Sequence, residues 1–112
     1  MPAKKVYVLS RSTRPGKKYM VRRESGSTGR SRTIHFGAAG MSDFTKHRDP
    51  ERKEAYIRRH RARESWGASG SDTAGFWSRW LLWNKPSVGG SVRDIERRFP
   101  SIRVTRGRAA RK

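Results

Sequence analysis

The chain has no cysteine. Disulfide staples, thiolate zinc sites and thiol nucleophiles are thereby excluded, and a reducing compartment is the natural setting. Long apolar runs are missing as well. None is longer than Trp80–Trp83, whereas a helix that spans a membrane needs about 20 apolar residues. Val6-Tyr7-Val8-Leu9, with Arg11 and Arg14 directly after it, is too short for the apolar region of a secretory signal. Acids are scarce: nine Asp and Glu stand against 28 Lys and Arg, a net charge of +19 over 112 residues. The acids are scattered and there are only three histidines, which leaves no carboxylate pair or nucleophile–base set for catalysis. The sequence reads as a non-enzyme.

The individual acids have structural readings. Asp49, Glu51, Glu54, Glu64, Asp72, Asp94 and Glu96 fit helix caps and surface ion pairs. Asp43, His47 and Asp49 are the one conceivable metal trio, but Asp49 is needed as a cap, and no His-x3-His pair accompanies it. Gly26-Ser27-Thr28-Gly29 lacks the Gly-Lys-Ser/Thr of a phosphate loop and reads as a hairpin loop. Gly89-Gly90-Ser91 offers either free N–H groups to one phosphate or a flexible helix entry, of which the second is the simpler. No cofactor and no small-molecule substrate are expected.

What is present is a concentrated core and a great deal of positive charge. Residues 75–87 hold three of the four tryptophans. In a chain this basic such a block must do most of the packing, so it reads as core rather than as an exposed stacking platform. Two alternating runs, Lys18–Arg22 and Arg32–Phe36, predict a β-hairpin with Tyr19 and Val21 on one strand and Ile34 and Phe36 on the other. Asp49-Pro50-Glu51 is a helix start, predicting a helix through Glu64. A second helix is predicted from Asp72 or Thr73 to about Asn84, and a third, short one opens at Ser91 and stops at Pro100. The expected core is Tyr19, Val21, Ile34, Phe36, Phe44, Tyr56, Ile57, Trp66, Phe76, Trp77, Trp80, Leu81, Val92, Ile95 and Phe99. The expectation is a small single α+β domain over residues 17–100, a β-hairpin followed by three short helices. An extended basic arm (1–16) precedes it and a basic tail (101–112) follows, each ordered only against partners.

Charge is worst balanced at the ends. Residues 1–42 carry +9, residues 43–99 carry +5 and residues 100–112 carry +5. The candidate anion- or partner-binding residues are Arg52, Arg58, Arg59, Arg61 and Arg63 on the first helix. Arg11 and Arg14 add to them from the arm, and Arg103, Arg106 and Arg108 from the tail. No zinc finger, RNP-type aromatic strand or helix-turn-helix accompanies them, so any nucleic-acid binding should be salt-sensitive and blind to sequence.

Several segments resemble a small family of proteins encoded by large double-stranded DNA viruses of algae and other protists. They are Ile34-His35-Phe36-Gly37-Ala38, Ser42–Asp49, Arg58–Glu64, Ser91–Ile95 and, most specifically, Thr73-Ala74-Gly75-Phe76-Trp77-Ser78-Arg79-Trp80-Leu81-Leu82-Trp83-Asn84-Lys85-Pro86-Ser87. The resemblance covers about residues 17–99 and brings no catalytic residue. It implies a virion product made in the host cytoplasm or nucleus. The expected role is a minor capsid or inner-shell component that contacts other virion proteins. The alternative is a sequence-nonspecific nucleic-acid-binding or packaging protein, or a ribosome-like RNA binder; anionic lipid headgroups are a further candidate partner.

Overall fold

The computed structural model of the protein describes residues 5–24, 31–67 and 70–107. Its strands arise where apolar residues recur at every second position, so that one face of each can be buried. Strand β1 (Lys5–Arg11) buries Tyr7 and Leu9, β2 (Lys17–Glu24) buries Val21, β3 (Ser31–Ala38) buries Ile34 and Phe36, and β4 (Ile102–Arg106) buries Ile102 and Val104. They form one four-stranded sheet in the order β3-β2-β1-β4. The hairpin pairs as the alternation requires, Tyr19 opposite Phe36 and Val21 opposite Ile34. Its connecting loop, residues 25–30, lies outside the described residues.

The small α+β domain is thus present, but residues 5–16 of the expected arm and 101–107 of the expected tail are part of it. Strand β1 lies inside the sheet, antiparallel to β2 and parallel to β4, with Tyr7 opposite both Arg23 and Val104. The physical reason is burial: Tyr7 and Ile102 are at most 1 % exposed, which a free arm and tail could not achieve. The Tyr7 hydroxyl donates to Asp72 Oδ1 at 2.7 Å and lies 2.8 Å from Ser71 Oγ. Burial, with the Asp72 carboxylate beside it, pushes that phenol up to about 12. Asp72 also takes two hydrogen bonds from Arg23, at 3.1 and 2.9 Å. Burial works to raise its carboxyl, but the bonds from Arg23 and Tyr7 outweigh it and hold the group below the usual range. Residues 1–4 and 108–112 lie outside the described residues.

The helices cover one face of the sheet. Helix α1 (Phe44–His47) is capped by Asp43, and α2 (Pro50–His60) by Asp49 with Pro50 in its first turn. The expected second helix is two pieces: α3 (Ala74–Trp77), capped by Thr73, then a π-helical turn over Ser78–Leu82. A π turn accommodates one residue more than an α turn. Here it lets Trp80, Leu81 and Leu82 all become buried while Trp83 turns outward to stack on Tyr56 at 4.5 Å. Helix α4 (Val88–Arg98) begins earlier than the capping pattern implied, because Ser87 is the cap and Ser91 is buried inside the helix, accepting from the Lys85 N–H. Gly90 donates its N–H to Ser87 Oγ at 3.0 Å, so the two glycines are the first turn of the helix rather than a flexible entry to it.

Of the expected core, Tyr19, Trp66, Val92 and Phe99 are half-buried against the central cluster, Phe44 and Tyr56 are buried but apart from it, and the half-buried Ile57 lies outside it. Tyr7, Leu9, Leu82, Ile102 and Val104 join it. Gly37 matters to this packing. Its φ is +81°, a conformation that favours glycine, and a Cβ there would stand 2.8 Å from Leu82 Cδ1, the flexible end of a side chain in the π turn.

Candidate polyanion-binding groove

At the end of the sheet where β1, β3 and β4 finish and β2 begins, three depressions adjoin one another through shared lining residues. The first, about 450 Å³, lies between α2, the α3–π segment and the ends of β2 and β3; Lys17, Lys18, Arg59 and His60 stand in its wall. The second, about 330 Å³, shares Lys17, Lys18 and Asp43 with the first and adds Arg11, Tyr19 and Lys46. The third, about 320 Å³, shares Arg11 and Tyr19 with the second and ends at Arg106 and Gly107. They make one groove with six Lys and Arg side chains along it.

Local structure explains the convergence. Arg11 and Tyr19 are register partners at the end of the hairpin that β1 and β2 form, two positions beyond the buried pair Leu9 and Val21 and so on the same face. Arg106 is the register partner of Leu9 and so points to the helical side of the sheet. Its guanidinium would lie 3.7 Å from a Cβ on Gly89, beside that of Arg93 at 3.8 Å. Lys17 follows the tight turn at Gly16, whose φ is +87°.

Both carboxylates of the groove already have partners. Asp43 accepts from the Thr45 N–H at 2.9 Å and from the Thr45 hydroxyl, and it is ion-paired with Lys18. Glu64 lies 2.9 Å from His60 Nδ1 and accepts from Trp66 Nε1 at 3.0 Å. Arg11, Lys17, Lys46, Arg59 and Arg106 are exposed, and among the described residues none of the five is ion-paired. Nearby, burial pushes the His35 imidazole down, and the positive charges of Arg14 and Lys17 push it further. Unopposed like charges on this scale store repulsion that an anion relieves.

Of the arginines singled out in the sequence, the groove brings together Arg11, Arg59 and Arg106. Arg52, Arg58, Arg61 and Arg63 are exposed on or just after α2 and do not line it. Arg58 instead shares a shallow depression with Glu51 and Glu54. Arg14 is exposed in the β1–β2 turn, and Arg103 lies on the opposite face of the sheet, beside Val6 in register. Arg108 lies outside the described residues. The three lysines of the groove were not anticipated; the only trace of them in the sequence is the pair Lys17-Lys18 beside Pro15-Gly16. Asp43, His47 and Asp49 act locally: Asp43 and Asp49 cap helices, and the Asp49 N–H donates to His47 Nδ1 at 2.9 Å. Among the described residues no helix is long and apolar enough to cross a membrane.

Comparison with known proteins adds little chemistry. Residues 7–60 match a family of unknown function, DUF5754. The matched stretch runs from β1 through α2 and contains every groove cation except Arg106, but it stops before the aromatic block. No curated protein and no solved structure matches the chain.

Proposed function

We propose that this protein binds the phosphate backbone of nucleic acid, without reading base sequence, through the groove at the end of its sheet. The observation that carries the reading is five exposed cations converging on one groove whose two carboxylates are already engaged. Phosphate contacts of this kind supply affinity and salt dependence, whereas base-edge contacts supply specificity, and the groove offers chiefly the former. Affinity for random-sequence DNA at physiological salt should fall at a Kd of about 10⁻⁴–10⁻⁶ M.

The role is that of a packaging or RNA-binding component. A virion setting rests on the resemblance of the aromatic block to proteins of large DNA viruses. A shell component anchored by extended basic ends would need those ends free to reach between subunits. Residues 5–11 and 102–106 are committed to the sheet, which removes most of that reach. The test compares two variants of equal net charge by fluorescence anisotropy. Arg11→Gln/Lys46→Gln/Arg59→Gln removes three of the five free groove cations, and Arg58→Gln/Arg61→Gln/Arg63→Gln strips the outer helix. A much larger affinity loss in the first supports the groove. Equal losses mean that net charge alone governs binding and overturn it.

A further inference from the structure

A groove that only neutralised phosphate would need no aromatic surface, yet this one has aromatic rings along it. Tyr19 stands where the second and third depressions join, half-buried, between Arg11 and Lys18. One contact of its ring is with Phe36, a stacked arrangement at 6.1 Å. Unlike the Tyr7 hydroxyl, which is bonded to Ser71 and Asp72, the Tyr19 hydroxyl has no hydrogen-bond partner among the described residues. At the far end, Phe36, Tyr56 and Trp83 border the 450 Å³ depression, but Phe36 is fully buried and Tyr56 is already stacked on Trp83 at 4.5 Å and on His60 at 4.3 Å.

We infer that the groove takes single-stranded rather than duplex nucleic acid, with an unpaired base stacked on Tyr19. This rests on the phosphate-binding reading above and specifies its ligand. A duplex keeps its bases stacked inside and presents only backbone and groove edges, so it would leave the Tyr19 ring unused. A single strand can lay its phosphates along the cations and turn a base onto that ring, the arrangement common to proteins that bind single strands without sequence preference. Charge complementarity selects the polyanion, and the Tyr19 ring selects the unpaired form. A second copy of this chain is disfavoured as occupant, because it would bring the same unpaired cations into contact.

The experiment uses the full chain with oligothymidylate of about 16 nucleotides, within the span of a small single-strand site, and a duplex of the same length. At equal phosphate concentration the single strand should bind more tightly. Tyr19→Leu keeps apolar cover over Phe36 but removes the ring, and should weaken single-strand binding about 5- to 100-fold while moving duplex binding less than about two-fold. Tyr19→Phe should behave like the parent. Should Tyr19→Leu fail to fold, the ring protons of Tyr19 in the parent can be followed by NMR, and stacking predicts a shift on adding oligothymidylate. Equal binding of both forms, or no response at Tyr19, while the groove triple variant still loses affinity, overturns the single-strand inference and leaves phosphate binding standing. Loss of neither ligand in the triple variant overturns both.

Discussion

Replacing Ile102 by alanine separates a chain whose tail is free from one whose tail is a strand. Ile102 is 1 % exposed, and β4 is joined to the domain by backbone bonds from Lys5 N–H to the Ser101 carbonyl and from Ile102 N–H to the Phe99 carbonyl, both 2.8 Å. Truncating a buried isoleucine costs about 2–5 kcal/mol, through lost burial and the cavity left behind. A small domain has only about 5–15 kcal/mol in all, so the variant should lose a large part of its stability. At about 4 °C or more per kcal/mol for a domain near this size, the melting temperature should fall by about 8 °C at least. The assay is urea unfolding followed by tryptophan fluorescence, since Trp77 is fully buried against Tyr7 and Phe36. Thr105→Ala, at an exposed position of the same strand, is the control and should stay within about 0.5 kcal/mol of the parent. If Ile102→Ala unfolds at the parent's urea concentration, β4 is no part of the folded domain and the third depression of the groove does not exist.

Two further outcomes follow from buried groups. Asp94 is 4 % exposed, and although burial opposes ionisation, hydrogen bonds from Asn84, Arg98 and Arg97 hold its carboxyl down at about 2. The stabilisation, roughly 2 kcal/mol, is full above the unfolded carboxyl's range and lost as pH falls from about 4 to about 2. Asp94→Asn should therefore be less stable than the parent at pH 7 and close to it at pH 2, and an equal deficit at both would show that the ionised carboxylate is not what stabilises. Gly37→Ala should cost about 1–3 kcal/mol in the same urea assay, from a positive φ and the approach of Leu82. Parent-like stability there would mean that the π turn does not rest on β3.

The hairpin, the caps at Asp49 and Thr73 and the aromatic core were legible in the sequence, because each is a local pattern: alternation, a capping residue, a dense apolar block. Strand β4 was not, since Ile102 and Val104 alternate with Arg103 and Thr105 over only five residues and their partner β1 lies at the other end of the chain. Parallel pairing of two termini leaves no local signal. Helix α4 was read from Ser91 because Gly89 and Gly90 are poor helix formers, yet Gly90 lies where a Cβ would come 3.0 Å from the capping Ser87 Oγ. The π turn follows from how the apolar residues crowd every side of one segment, a packing demand that helical periodicity does not express. The groove was only partly visible. Arginine density pointed to α2, but density along a helix does not say which guanidiniums meet others across the fold. Arg11 and Arg106 come together through β1–β4 pairing, and Lys46 through the cap at Asp43, whose carboxylate holds Lys18.

The most direct measurement of phosphate binding in the groove is the salt dependence of affinity, parent against variant. Each phosphate neutralised on a single strand contributes about −0.7 to the slope of log K against log salt. With Arg11, Lys17, Lys46, Arg59 and Arg106 free of ion pairs, the parent should show a slope of about −3.5 with oligothymidylate. Arg11→Gln/Lys46→Gln/Arg59→Gln should flatten it by about 2, while Arg58→Gln/Arg61→Gln/Arg63→Gln, with the same net charge, should leave it nearly unchanged. Equal flattening in the two variants, or a steep slope that survives loss of the groove cations, would contradict phosphate binding in this groove.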